Sequence, residues 1–88
     1  MNQETIVLNP RVAWREIEGR VVVICPEDSI VHELNETASF IWKHADRGCS
    51  LTEIVGLLSD EFGVNVAQAR ADAEELRDLF RQKGLLFS

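Results

Sequence analysis

The residues best able to act as base, nucleophile or metal ligand are two histidines, His32 and His44, and two cysteines, Cys25 and Cys49. Zinc sites draw on C-x2–4-C and H-x3–5-H pairs, and the chain holds neither. No Ser or Cys nucleophile stands at a recognisable motif spacing from either histidine. The carboxylates that cluster, Asp60-Glu61 and Asp72, Glu74, Glu75 and Asp78, fall on helix-forming segments, where they read as solvated faces. The five glycines are scattered at turns and helix ends, apart from Gly56 within a helical segment, so no glycine-rich phosphate loop exists. These patterns predict no catalytic centre, no metal and no cofactor. The cysteines are expected as reduced, partly buried thiols, since two are too few to frame a disulfide-rich fold.

The remaining chemistry is that of binding. Arg70, Arg77 and Arg81 fall within about 40° of one another if residues 66–83 are helical. Such a stripe can meet acidic groups of a partner. It can equally pair with Glu74 and Asp78 at three- and four-residue spacings and steady its own helix. Trp14 is either a core residue or an interface anchor, and Trp42 reads as core.

Three strands and three helices must position these residues. Val12, Trp14 and Ile17 give Arg11–Ile17 a loose strand pattern, and Glu18-Gly19 is a turn in which glycine supplies positive φ. Arg20–Cys25 (RVVVIC) is a continuous β-branched run, the mark of a central strand with neighbours on both sides. Pro26–Ser29 is a second turn, and Ile30–Leu34 a third strand. Short connections make an antiparallel meander with the third strand at one edge. Asn35 then caps a helix carrying Ala38, Phe40, Ile41, Trp42 and Ala45, which stops near Gly48. Ser50-Leu51-Thr52-Glu53 is a capping box opening a helix that ends at Gly63. Asn65-Val66-Ala67-Gln68 is a weaker box, opening a third helix to about Lys83 with Ala69, Ala73, Leu76 and Phe80 on one stripe. Leu85-Leu86-Phe87 is expected to fold back onto the core. Residues 1–9 are expected to be ordered only in part. The order βββααα predicts an α+β fold with helices covering one face of the sheet, in one domain spanning residues 1–88 with its core at about 11–87.

The chain has 88 residues, of which 45% are hydrophobic and 27% charged, as in ordinary globular proteins. No apolar run approaches the ~20 residues of a membrane span. Met1-Asn2-Gln3-Glu4 lacks the basic start and apolar stretch of a secretory signal, so a cytoplasmic protein is the default expectation. A net charge of −6 opposes nonspecific binding to nucleic acid, which depends on neutralising phosphates.

Leu34-Asn35-Glu36-Thr37-Ala38, followed by Ile41-Trp42, resembles the signature of the PqqD-like family. The resemblance continues through Ser50-Leu51-Thr52-Glu53-Ile54-Val55 with Leu58, then Phe62-Gly63-Val64. It closes with Ala69, Asp72-Ala73, Leu76, Phe80 and Gly84-Leu85-Leu86, and so covers about residues 11–87. Members are recognition elements for ribosomally made, post-translationally modified peptides. The resemblance implies a winged-helix-like domain in which the leader segment of a precursor peptide adds as an antiparallel strand beside the third strand. Its apolar side chains then enter the cleft toward the third helix. The residues this assigns to the leader are Ile30, Val31, His32, Glu33 and Leu34 on the strand, and Asp72, Ala73, Leu76, Arg77, Leu79, Phe80 and Lys83 on and just beyond the helix. The chain departs from the pattern at Arg77, where an apolar residue is usual, and at His32, where an aromatic is often found.

The resemblance also implies a separate modifying enzyme as partner. That enzyme is a radical S-adenosylmethionine maturase, or a peptidase and cyclase in lasso-peptide pathways; pyrroloquinoline quinone biosynthesis is one pathway among several. The residues support the peptide mode independently, because an edge strand presents unpaired N–H and C=O groups to another strand. A free edge can also pair with itself, giving a homodimer. The alternative is a winged-helix DNA-binding protein, since fold does not fix function. The carboxylates beside the arginines of the third helix, and the negative total charge, stand against it.

Overall fold

The computed structural model describes residues 5–25, Glu27 and residues 29–87. Three strands, β1 (Ala13–Ile17), β2 (Arg20–Cys25) and β3 (Ile30–Glu33), precede three helices, α1 (Glu36–Asp46), α2 (Leu51–Phe62) and α3 (Val66–Gln82). The sheet is antiparallel in the order β1-β2-β3, so both outer strands have a free edge among the described residues. The expected α+β, βββααα layout is the observed one.

Local chemistry explains the boundaries. Glu18 and Gly19 both take positive φ, 52° and 84°, the type I′ geometry that matches strand twist in a two-residue hairpin. The second turn, Pro26–Ser29, lies partly outside the described residues, at Pro26 and Asp28; within it Ser29 donates its N–H to the Cys25 carbonyl at 2.9 Å. Asn35, Ser50 and Asn65 each cap a helix by accepting a main-chain N–H. Only Ser50 completes a reciprocal box, with Glu53. At Asn65 the expected box forms by half: Gln68 sends its side-chain amide to Asp72, 2.9 Å away.

Alternation along β2 sets the core. Val21, Val23 and Cys25 are buried toward the helices while Val22 and Ile24 face outward, as period-two geometry requires. Trp42, Ile41, Ile54, Leu58 and Phe80 fill the space beneath the sheet. The Trp42 ring meets Phe80 edge-on at 5.5 Å and Trp14 at 6.3 Å. Ala69 and Ala73 are fully buried, and these small side chains let α3 lie close to α2. Neither cysteine is in a disulfide; Cys25 is buried and Cys49 half-buried.

The core reaches further toward the N-terminus than the sequence suggested. Ile6 is 4% exposed, Leu8 bridges to Leu86, and Phe87 donates its N–H to the Val7 carbonyl at 2.7 Å. Residues 5–9 are thus part of the fold; Met1–Glu4 lie outside the described residues. Leu85 and Leu86 are buried as expected, but Phe87, also expected to fold back, is 71% exposed.

Candidate peptide-binding groove

One hydroxyl fixes the geometry of the free edge. Leu34 donates its N–H to the Val21 carbonyl at 2.9 Å. The return bond is replaced by Ser39 Oγ, which accepts from Val21 N–H at 2.8 Å and donates to the Leu34 carbonyl at 3.2 Å. Ser39 is only 1% exposed, so this hydroxyl satisfies two buried main-chain groups and ties the end of β3 to α1. Bonded and non-bonded pairs alternate along an antiparallel ladder. With Val21 and Leu34 a bonded pair, the register makes His32 opposite Val23 and Ile30 opposite Cys25 bonded pairs as well. The N–H and C=O groups of Val31 and Glu33 therefore point away from the sheet.

These groups border a groove of about 330 Å³ between β3 and α3. Each element packs chiefly on another partner, α3 on α2 and β3 on β2. Leu34, Ala38 and Phe80, all buried, give the groove an apolar floor. Leu76 and Leu79 form its far wall, and His32, Glu33, Asn35 and Lys83 its polar rim. Leu79 on the far wall is 41% exposed; Val31 borders the groove through its backbone, and its side chain, 60% exposed, lies on the outer face with Ile24.

Of the residues assigned from sequence, Val31, His32, Glu33, Leu34, Leu76, Leu79, Phe80 and Lys83 line this groove. Ile30 lies at the far end of the strand and Ala73 is fully buried beneath α3. Asp72 accepts the Gln68 amide, and Arg77 bonds Asp78 at 3.1 Å; neither lines the groove. Asn35 and Ala38 line it without having been assigned. Their signal was present, because both belong to the Leu34–Ala38 segment, where Ala38 is the small residue one turn after the cap.

The arginine stripe of α3 is neutralised within the helix. Arg70 pairs with Glu74 at 3.6 Å, and Arg77 and Arg81 share Asp78 at 3.1 and 3.5 Å. This is the helix-steadying arrangement, and it leaves few free cations for nucleic-acid phosphates. Among the described residues no group of His, Cys, Asp and Glu could hold a metal ion, and no helix is long and apolar enough to cross a membrane.

The family model for coenzyme PQQ synthesis protein D (PqqD) matches residues 4–86. The chain belongs to the PqqD family. Two solved structures share its fold. TbiB1 in complex with the TbiA(β) leader peptide is 22% identical, with a TM-score of 0.90 over 94% of this chain and 96% of that one. Lasso peptide synthetase B1 complexed with the leader peptide is 20% identical, with a TM-score of 0.88 over 96% and 99%. No curated protein matches the chain. The PqqD-family fold here thus comes with an open β3 edge and an apolar groove beside it.

Proposed function

We propose that this protein is a recognition module that takes up the leader segment of a ribosomally synthesised precursor peptide as a fourth strand on β3, and presents it to a modifying enzyme. The observation that carries this reading is the outward-facing backbone of Val31 and Glu33 beside an apolar groove walled by α3. Strand addition uses main-chain bonds for affinity and pockets for alternate side chains for selection. Each such bond contributes about 1 kcal/mol net. Side chains of the added strand opposite Ile30, His32 and Leu34 would share the helix-facing side of the sheet and enter the groove toward Leu76, Leu79 and Phe80. Membership of the PqqD family, and a fold shared with two proteins described as leader-peptide complexes, support the same role. No catalytic step is assigned to this chain. A radical S-adenosylmethionine maturase, or a peptidase and cyclase, would carry out the modification.

Peptides selected from a displayed random library test the reading directly. Hydrogen exchange at the Val31 and Glu33 amides should be fast in the free protein and strongly slowed in the complex. Selected peptides that bind but leave both amides unprotected would overturn strand addition. Salt-sensitive binding to duplex DNA in a polarisation assay would favour the DNA-binding alternative instead.

A further inference from the structure

The groove adjoins a further hollow past the tip of α3. A second hollow, of about 260 Å³, lies beyond Lys83, and Lys83 lines both. Its wall is well tied. Asn9 donates its side-chain amide to the Gly84 carbonyl at 2.9 Å, and its N–H to the Leu85 carbonyl at 2.9 Å. The Asn9 Oδ1 accepts the Arg11 N–H at 3.0 Å. Cys25, opposite Ile30 in the sheet, also lines this hollow, which places it at the start of β3. Leu34, Asn35 and Ala38 mark the other end of the groove.

Charge distinguishes the second hollow from the first. It contains Arg11, Glu27 and Lys83. Arg11 and Glu27 pair at 3.1 Å and offset each other. Lys83 has no ion-pair partner among the described residues, whereas the three arginines of α3 are all paired. The described residues of the hollow therefore sum to one net positive charge, on a protein whose total is −6. That local sign survives the negative whole because charges are screened beyond ~8–10 Å.

We infer that this hollow is a second subsite of the peptide groove, which takes an acidic side chain of the bound peptide on Lys83. The inference rests on the peptide-binding reading above. A peptide antiparallel to β3 has its C-terminal end at the start of that strand, so the acidic residue lies C-terminal to the apolar residues held in the groove. Lys83 supplies the counter-charge, and the Arg11 guanidinium can turn from Glu27 to donate a second bond. The first hollow then selects apolar residues at alternate positions, and the second reads a carboxylate on the side leading to the rest of the precursor.

The test selects displayed random peptides of about 15 residues, long enough at ~3.3 Å per residue to span the 37 Å length of the molecule. Wild type, Lys83→Glu and Lys83→Gln are compared, each checked by thermal melting. Wild type should enrich an alternate apolar pair followed by Asp or Glu. Lys83→Glu should keep the apolar pair and shift the following position to Lys or Arg. Affinity of a wild-type-selected peptide should fall about tenfold in Lys83→Glu and a few-fold in Lys83→Gln, with smaller changes at high salt. Changing the peptide's acidic residue to Lys should restore binding to Lys83→Glu. If the apolar pair is enriched but neither protein shows a charge preference after it, the second subsite is wrong and the groove stands. If no enriched peptide is sensitive to Val31→Pro, the strand-addition reading falls, and this inference falls with it.

Discussion

Among the described residues the sheet has two free edges, and they are not alike. The β1 edge is guarded: Lys43 of α1 reaches Glu16 at 2.9 Å, Arg15 stands beside it, and the Trp14 ring is turned inward onto Trp42. Charged residues on an edge discourage further pairing. A hollow of about 410 Å³ does lie by this strand, larger than the groove at β3, but among the described residues only those of β1 and β2 line it. It is an open depression on the outer face, with no helix opposite. At β3 the outward-facing groups of Val31 and Glu33 meet a groove whose far wall is a helix. An edge provides bonds to any strand; a facing helix is what lets it choose one.

The largest expected effect would break that contrast at the helix wall. Leu76→Asp puts a carboxylate where a bound peptide would strip its water, and should weaken binding of selected peptides on the order of 100-fold by calorimetry. Ile17→Asp, a similar change beside β1 at a residue 50% exposed, should leave affinity unaltered. Equal losses in the two variants would mean the helix does not select.

Ser39→Ala strips the bridge between Val21 and Leu34, leaving two main-chain groups buried and unpaired. It should cost about 2 kcal/mol, a fall in Tm of roughly 8–16 °C for a domain of this size. Hydrogen exchange should quicken along β3 more than along β1, since only β3 is pinned by that hydroxyl.

Val31→Pro is smaller and more pointed. Proline is tolerated on an edge strand where the lost N–H faces outward, so the variant should fold and lose one peptide bond donor, about fivefold to tenfold in affinity. By the same ladder alternation Glu16 faces outward on β1, and Glu16→Pro should cost only the exposed Lys43 pair, with no loss of peptide binding. Should Glu16→Pro weaken binding as much, the peptide uses the other edge.

The smallest effect belongs to neither edge. His44 is held below its ordinary pKa of 6.5 by burial first, then by Arg47 and Lys43, with Glu61 opposing. Below pH 6.5 the unfolded chain takes up a proton that the folded one resists, so stability falls as pH drops until the lowered pKa is passed, and is level above 6.5. Denaturant melts across that range should show a shallow slope that His44→Gln removes.

Much of the fold could be read from sequence because its causes are local. Arg20–Cys25 is a strand by composition, and Asn35, Ser50 and Asn65 cap helices within three residues of themselves. The Glu18-Gly19 hairpin needs nothing beyond its own φ angles. The candidate site was legible by halves: the edge from strand order, the helix wall from the stripe at Leu76 and Phe80. Arg77 was placed with the groove by the family resemblance, yet it turns to Asp78; one residue on from Leu76 along a helix is about 100° of rotation, enough to leave a groove.

Sequence by itself therefore determined the elements, their order, and that β3 would carry an open edge. Tertiary structure decided the rest. Ser39 closes the Val21–Leu34 pair from another element, Ile6 joins the core against segments far along the chain, and Lys83 stands between two hollows built from both ends of the molecule. Each depends on residues distant in sequence meeting in space, and short-range periodicity carries no record of such meetings.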